Sequence, residues 1–315
     1  MVKSSQVIRI KGEGYMSNQN VKDSLVKVGH GIVKVGSKTK DVALESKDKI
    51  MEALDVNQNG KIDVEDIIII GLKTPGVHID RTKFLEKQFM KNYPNHVILD
   101  AIQNNPAHAG IPVSEIDAIA DQVIEYERNC VSGISLALGV PGGVAMAATL
   151  PADIAQYYGY MLRAIQKLLY LYGFPEINIE NRTNIDDETM NLITLCLGVM
   201  YGVKGATASL KMLSTALGKG VEKKLLSTAL TKGTFYPMVK KISKWFAVRM
   251  TKEIFAGFFK KAIPVVGGVV GGGITYLSFK PCCDKLKKSL QDTLLSNPNS
   301  KHSYDNLDII DIIPE

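Results

Sequence analysis

The residues best suited to chemistry lie in one stretch of twelve, Asp55-Val56-Asn57-Gln58-Asn59-Gly60-Lys61-Ile62-Asp63-Val64-Glu65-Asp66. Side-chain oxygens recur at positions 1, 3, 5, 9 and 12 of this stretch, as Asp55, Asn57, Asn59, Asp63 and Asp66, with Gly60 at position 6. A calcium ion takes six to eight oxygens at flexible angles, so a short loop holds it if alternate residues turn inward and one residue bends the chain. Lys61 stands at position 7, where the backbone carbonyl is the ligand and the ammonium points to water. Asp63 acts through a water molecule. Asp66 stands where a longer Glu is usual, which weakens bidentate contact and predicts an affinity on the order of 10⁻⁶ to 10⁻³ M, with Mg²⁺ as a competitor.

The spacing is that of an EF-hand loop. The competing explanation is a turn-rich connector, since Asn, Asp and Gly serve turns without any metal. The flanks argue for the loop. Leu44, Met51 and Leu54 give the preceding segment an apolar side, and Val64 to Leu72 carries four consecutive isoleucines before Thr74-Pro75-Gly76 ends it. An EF-hand pairs through its position 8, here Ile62, so a second loop is expected. Residues 104–115 have the right length, with Ile111 at position 8 and Glu115 at position 12, but Pro106 and His108 stand where oxygens are needed. Either it is a degenerate loop that stays empty and braces the first through Ile62 and Ile111, or it is a plain interhelical turn.

Apolar spacing predicts helices wherever the chain carries a pattern, and nothing alternates as a strand would. Val21, Leu25, Val28, Ile32 and Val35 mark a basic amphipathic helix behind a short arm. Asp80 reads as the cap of a helix reaching about Lys91, Pro94 opens a short one ending near Gln103, and Ser114 to Asn129 forms another. From Cys130 the texture changes to apolar runs with small residues four apart: Gly139 and Gly143; Gly198, Gly202 and Ala206; Gly267 and Gly271. Such spacing puts small side chains on one helix face, where backbones approach closely, in water or in lipid. None of these runs gives the roughly 20 uninterrupted apolar residues a membrane span needs. The division expected is 1–43 basic arm and helix, 44–128 EF-hand-like lobe, 129–292 glycine-rich helical domain, and 293–315 acidic tail: an all-α protein.

Length and composition, 315 residues with 45% hydrophobic and 22% charged, suit a globular chain with a sizeable core. The formal charge of +6 is unevenly placed, with thirteen Lys/Arg against two acids from Tyr201 to Lys261. Lys260 and Lys261, and Lys280 with the Lys285 to Lys288 cluster, favour an anionic membrane surface or a membrane protein as partner. The first twenty residues hold no continuous apolar stretch of the secretory kind, so a cytoplasmic location is expected. Cys130, Cys196, Cys282 and Cys283 show no CxxC spacing and read as reduced.

Gly139-Val140-Pro141-Gly142-Gly143, Leu150-Pro151-Ala152-Asp153-Ile154, Tyr172-Gly173-Phe174 and Lys260-Lys261-Ala262-Ile263-Pro264-Val265-Val266-Gly267-Gly268 together resemble the EcsC family of bacterial proteins, over roughly Glu115 to Leu290. The resemblance implies a helical domain linked to ABC-transporter or secretion physiology at the membrane, with no established reaction and no catalytic residues to transfer. Asp153, Gln156, Tyr160, Arg163 and Lys167 make a polar stripe on an otherwise apolar helix, read as a solvated face in preference to a site.

Signatures of catalysis are absent from the sequence. The five histidines have no zinc-site spacing, Gly133-Ile134-Ser135-Leu136-Ala137 lacks the second glycine of a nucleophile elbow, and Gly267 to Gly273 lacks a following Lys-Ser/Thr. Trp245, within Lys240-Lys241-Ile242-Ser243-Lys244-Trp245-Phe246, suits an interfacial anchor or a core edge and not a nucleic-acid stacking platform. The function expected is that of a calcium-binding, non-catalytic protein at the cytoplasmic membrane surface. A membrane-inserting hairpin of the pore type and a soluble enzyme are the alternatives.

Overall fold

The computed structural model describes residues 51–138, 145–179, 185–221, 223–261, 267–291 and 293–299. The basic arm and amphipathic helix expected within 1–43, the Gly139 and Gly143 pair, Lys301 and the acids of the tail lie outside these residues. Among the described residues the secondary structure is entirely helical. Helical residues 51–54 lead into the loop. Then come α1 (Val64–Leu72), α2 (Arg81–Phe89), α3 (Asn95–Gln103), α4 (Val113–Leu138), α5 (Ala145–Leu171), α6 (Asp187–Met200), α7 (Ala206–Gly218), α8 (Lys223–Thr231), α9 (Tyr236–Lys261) and α10 (Gly267–Gln291).

The helix starts follow the sequence. Asp63 caps α1 through a reciprocal capping box with Asp66, and Asp80 and Asp186 accept from the third backbone N–H of α2 and α6. Each satisfies donors that a helix cannot pair internally.

The long helices α4, α5 and α10 pack side by side. Asp117 meets Tyr172, Glu127 meets Arg163 and Ser135 meets Asp153, so α4 and α5 run antiparallel. Asp121 meets Lys287 and Ser135 meets Thr275, so α10 also runs against α4. Helix α1 lies directly on α5. A Cβ added to Gly71 would fall 3.1 Å from the Tyr158 carbonyl carbon and 3.2 Å from the Gly159 amide nitrogen, and one added to Gly159 would collide with Thr74. The isoleucines Ile67, Ile68 and Ile70 enter the same buried cluster as Leu162, Ile165 and Leu169 of α5. The 128/129 boundary drawn from texture falls inside α4, which continues unbroken to Leu138 because its apolar phase continues through Val131.

One glycine stripe is corrected. Gly198 lies within α6, but the helix ends at Met200: Gly202 is left-handed, with φ of 73°, and Val203 N–H bonds the Gly198 carbonyl at 2.8 Å. Gly202 therefore forms a Schellman stop, which favours glycine because it has no Cβ to clash, and Gly198, Gly202 and Ala206 do not share one helix face. Gly198 still marks a close approach, since a Cβ there would collide with Ile242 of α9. Among the described residues, no helix is long and apolar enough to cross a membrane. All four cysteines are free thiols, with Cys196 and Cys283 buried.

Candidate functional site

The loop from Asp55 to Asp66 closes on its own backbone. Asp55 accepts from Asn59 N–H through Oδ1 at 3.0 Å and from Gly60 N–H through Oδ2 at 2.7 Å. Asn57 Oδ1 accepts from Asn59 N–H at 3.2 Å, and Asn59 Oδ1 from Lys61 N–H at 3.0 Å. These bonds turn the oxygens of positions 1, 3 and 5 into the bend. The backbone reverses at Gln58 and Gly60, with φ of 57° and 81°. Lys61 is exposed, while Ile62 is fully buried.

Asp63 links loop to helix. Its Oδ1 caps α1 by accepting from Glu65 and Asp66 N–H, and its Oδ2 accepts from Asn59 Nδ2 at 3.0 Å. Asp66 is buried beneath the loop. Its Oδ1 accepts from Val56 N–H at 2.8 Å and Asn57 N–H at 3.1 Å, and its Oδ2 from Asp63 N–H at 3.0 Å. Burial pushes the Asp66 carboxyl above its usual range, while the three amides oppose that shift.

All the groups here are hard oxygens, the donor type calcium and magnesium take. Asp55, Asn57 and Asn59 have their side-chain oxygens gathered on one bend. Asp66 already holds three of the roughly four hydrogen-bond positions a carboxylate offers, so it anchors the loop as much as it completes a ligand set. Among the described residues no trio of His, Cys, Asp or Glu is drawn together as metal ligands; a site here would depend on Asn and carbonyl oxygens as well as carboxylates. The donor set fits a hard divalent cation held by a mixed, weakly charged shell.

The second loop is an interhelical turn that does not pair with the first. Ile111 is buried, but its N–H donates to the Pro106 carbonyl at 3.1 Å, and neither Ile62 nor Ile111 lies in a strand bridge. Both Glu115 oxygens are engaged outside the loop, accepting from Tyr93 Oη at 2.6 Å and Asn92 Nδ2 at 3.1 Å. That bond carries the Tyr93 hydroxyl up to about 12. The brace expected from Ile62 is absent because α1 has another partner: its apolar face is covered by α5.

Arg81 was not legible as a key residue. It is buried, and its guanidinium donates to the carbonyls of Phe174, Ala101, Ile102 and Asn104. It thereby joins the end of α3 to the turn after α5, where the helix dipole places partial negative charge.

The polar stripe of α5 faces inward, which corrects the solvated-face reading. Glu127 of α4 is fully buried and receives Lys167 Nζ at 2.7 Å and Arg163 Nε at 3.0 Å. Arg163 also donates to the Gly76 carbonyl, and Gln166 bonds Val77 and Ile79, so this stretch of α5 grips the segment leaving α1. Further along, Ser135 donates to Asp153 Oδ1 at 2.9 Å and receives Thr275 Oγ1 at 3.3 Å. Gln156 is buried with both amide atoms unpartnered, and so is the hydroxyl of Ser132, which the antiparallel register places opposite it. The missed signal was phase: Glu127 continues the inward series Ile116, Ala120, Val123.

The basic clusters are also redistributed. Lys280 pairs with Asp284 at 2.8 Å and Lys287 with Asp121 at 2.7 Å, so part of the α10 charge is neutralised within the fold. Trp245 sits at the edge of the core, 5.2 Å from the Phe246 ring and 6.0 Å from Tyr201.

Compared with protein-family models, with curated proteins and with solved structures, the chain finds no match in any of the three.

Proposed function

We propose that this chain is a calcium-binding, non-catalytic helical protein that works at or near the cytoplasmic surface of a membrane. The observation that supports metal binding is the inward turn of Asp55, Asn57 and Asn59 around the left-handed Gly60. In the bound state Asp55, Asn57, Asn59, the Lys61 carbonyl, Asp63 through water, and Asp66 are the ligands; Mg²⁺ competes for them. A bound ion would add a positive charge beside Asp66, the one buried carboxylate of the loop, and hold α1 in a fixed relation to the bend. The resemblance to the EcsC family supports the membrane side of the reading and a link to ABC-transporter or secretion physiology.

Calorimetric titration of metal-free protein with CaCl₂, beside Asp55→Ala, tests the metal. Wild type is expected to release heat with a midpoint between about 10⁻⁶ and 10⁻³ M and the variant none; equal heats would remove the site. At a calcium concentration of about 100 times Kd, wild type should also gain about 2.7 kcal/mol of stability.

A further inference from the structure

The segment Tyr236 to Arg249 of α9 carries four cations and no acid. Its exposed residues, Pro237, Lys240, Lys241, Lys244 and Val248, recur every three or four positions and so form one outward stripe, with Arg249 beside it. Val239, Ile242 and Phe246 on the opposite side are buried. Lys240 rests over the Tyr236 ring at 4.6 Å, and Lys241 donates to the Lys204 carbonyl at 2.8 Å, which brings exposed Lys204 next to the stripe. Among the described residues, no carboxylate pairs with Lys240, Lys241 or Lys244, whereas on α10 Lys280 and Lys287 are paired with Asp284 and Asp121, which leaves only Lys285 and Lys288 exposed there without a carboxylate. Val248, 57% exposed, lies about one turn along from Lys244 and Trp245, and Arg249 stands over the Trp245 ring at 5.2 Å. Basic residues flanking an exposed apolar side chain and a tryptophan at the core edge are the composition that suits a headgroup boundary.

We propose that this outward stripe of α9, and not the α10 cluster, is the surface that meets an anionic lipid bilayer. The proposal rests on the membrane-proximal reading above and adds to it the face that docks. Each lysine near such a surface contributes about 1 kcal/mol.

The test is flotation of the full chain with vesicles rich in phosphatidylserine or made of phosphatidylcholine alone. Wild type should float with the first and not the second. Lys240→Gln/Lys244→Gln should weaken binding roughly 30-fold, and Lys285→Gln/Lys288→Gln, matched in charge, by less than about 3-fold. Thermal melts equal to wild type confirm that both variants fold, and Lys244→Gln alone, at roughly 5-fold, serves as a second reading. Unchanged flotation of the α9 variant, or an equal loss from the α10 variant, overturns the assignment of the surface while leaving the membrane reading intact. Wild type unbound with both vesicles overturns the two together. Equal binding to phosphatidylcholine overturns the role of charge, and an equal loss of binding to soluble polyglutamate overturns lipid in favour of an acidic protein partner.

Discussion

The loop of residues 55–66 and the seam between α4 and α5 both gather charged groups, but they satisfy them in opposite ways. Among the described residues, the bonds of the loop join residues at most ten apart, as between Val56 and Asp66. In the seam Glu127 meets partners 36 and 40 residues away. The loop faces water on one side and can exchange its backbone donors for solvent or an ion. At the centre of the seam Glu127 is cut off from water, so it is satisfied by protein cations and not by solvent. Local satisfaction therefore makes a site that is open to change, and long-range satisfaction makes a fixed joint.

The largest expected effect tests the joint. Glu127→Ala removes the carboxylate shared by buried Lys167 and partly buried Arg163 and should cost about 3–5 kcal/mol in denaturant unfolding. A loss below about 1 kcal/mol would mean that water reaches the seam and that the contrast with the loop is false. A smaller effect of opposite sign is expected just under one turn along α5 from Asp153: Gln156→Leu removes an amide with no partner and should be neutral or stabilising by up to about 1–2 kcal/mol. Destabilisation by more than about 1 kcal/mol would show that Gln156 bonds an internal water.

The smallest effect concerns a purely local group. Asp80→Ala removes the α2 cap and should cost about 1 kcal/mol near neutral pH. The Lys83 backbone N–H holds the Asp80 carboxyl below its ordinary range, so the stabilisation is complete above that range and fades as pH falls through the folded-state value. Melts of wild type and variant should therefore converge in acid. A gap that stays constant down through that range would assign the loss to helix propensity and not to the charged cap.

The same contrast explains what could be read from the sequence. Helix class, the caps at Asp63 and Asp80, and the oxygens of the loop are set by neighbours a few residues apart, so spacing reveals them. The stop at Gly202 was within reach too, since a glycine after an apolar helix that lacks polar punctuation commonly ends it; the four-residue spacing with Gly198 hid it. The seam was different. Asp153, Gln156, Arg163 and Lys167 look like a watered face until Glu127 is seen opposite, and Arg81 carries no local sign of the carbonyls it gathers. The pairing expected for Ile62 failed for a related reason: α1 had a larger apolar partner in α5 than a second loop could offer.

Helix α1 touches α5 where Gly71 sits against the Tyr158 and Gly159 backbone and beside the Leu162 side chain, while the Thr74 side chain fills the space over Gly159. A methyl group at either glycine would have to push the helices apart, so the spacing of this crossing is set by two residues that have no side chain to offer.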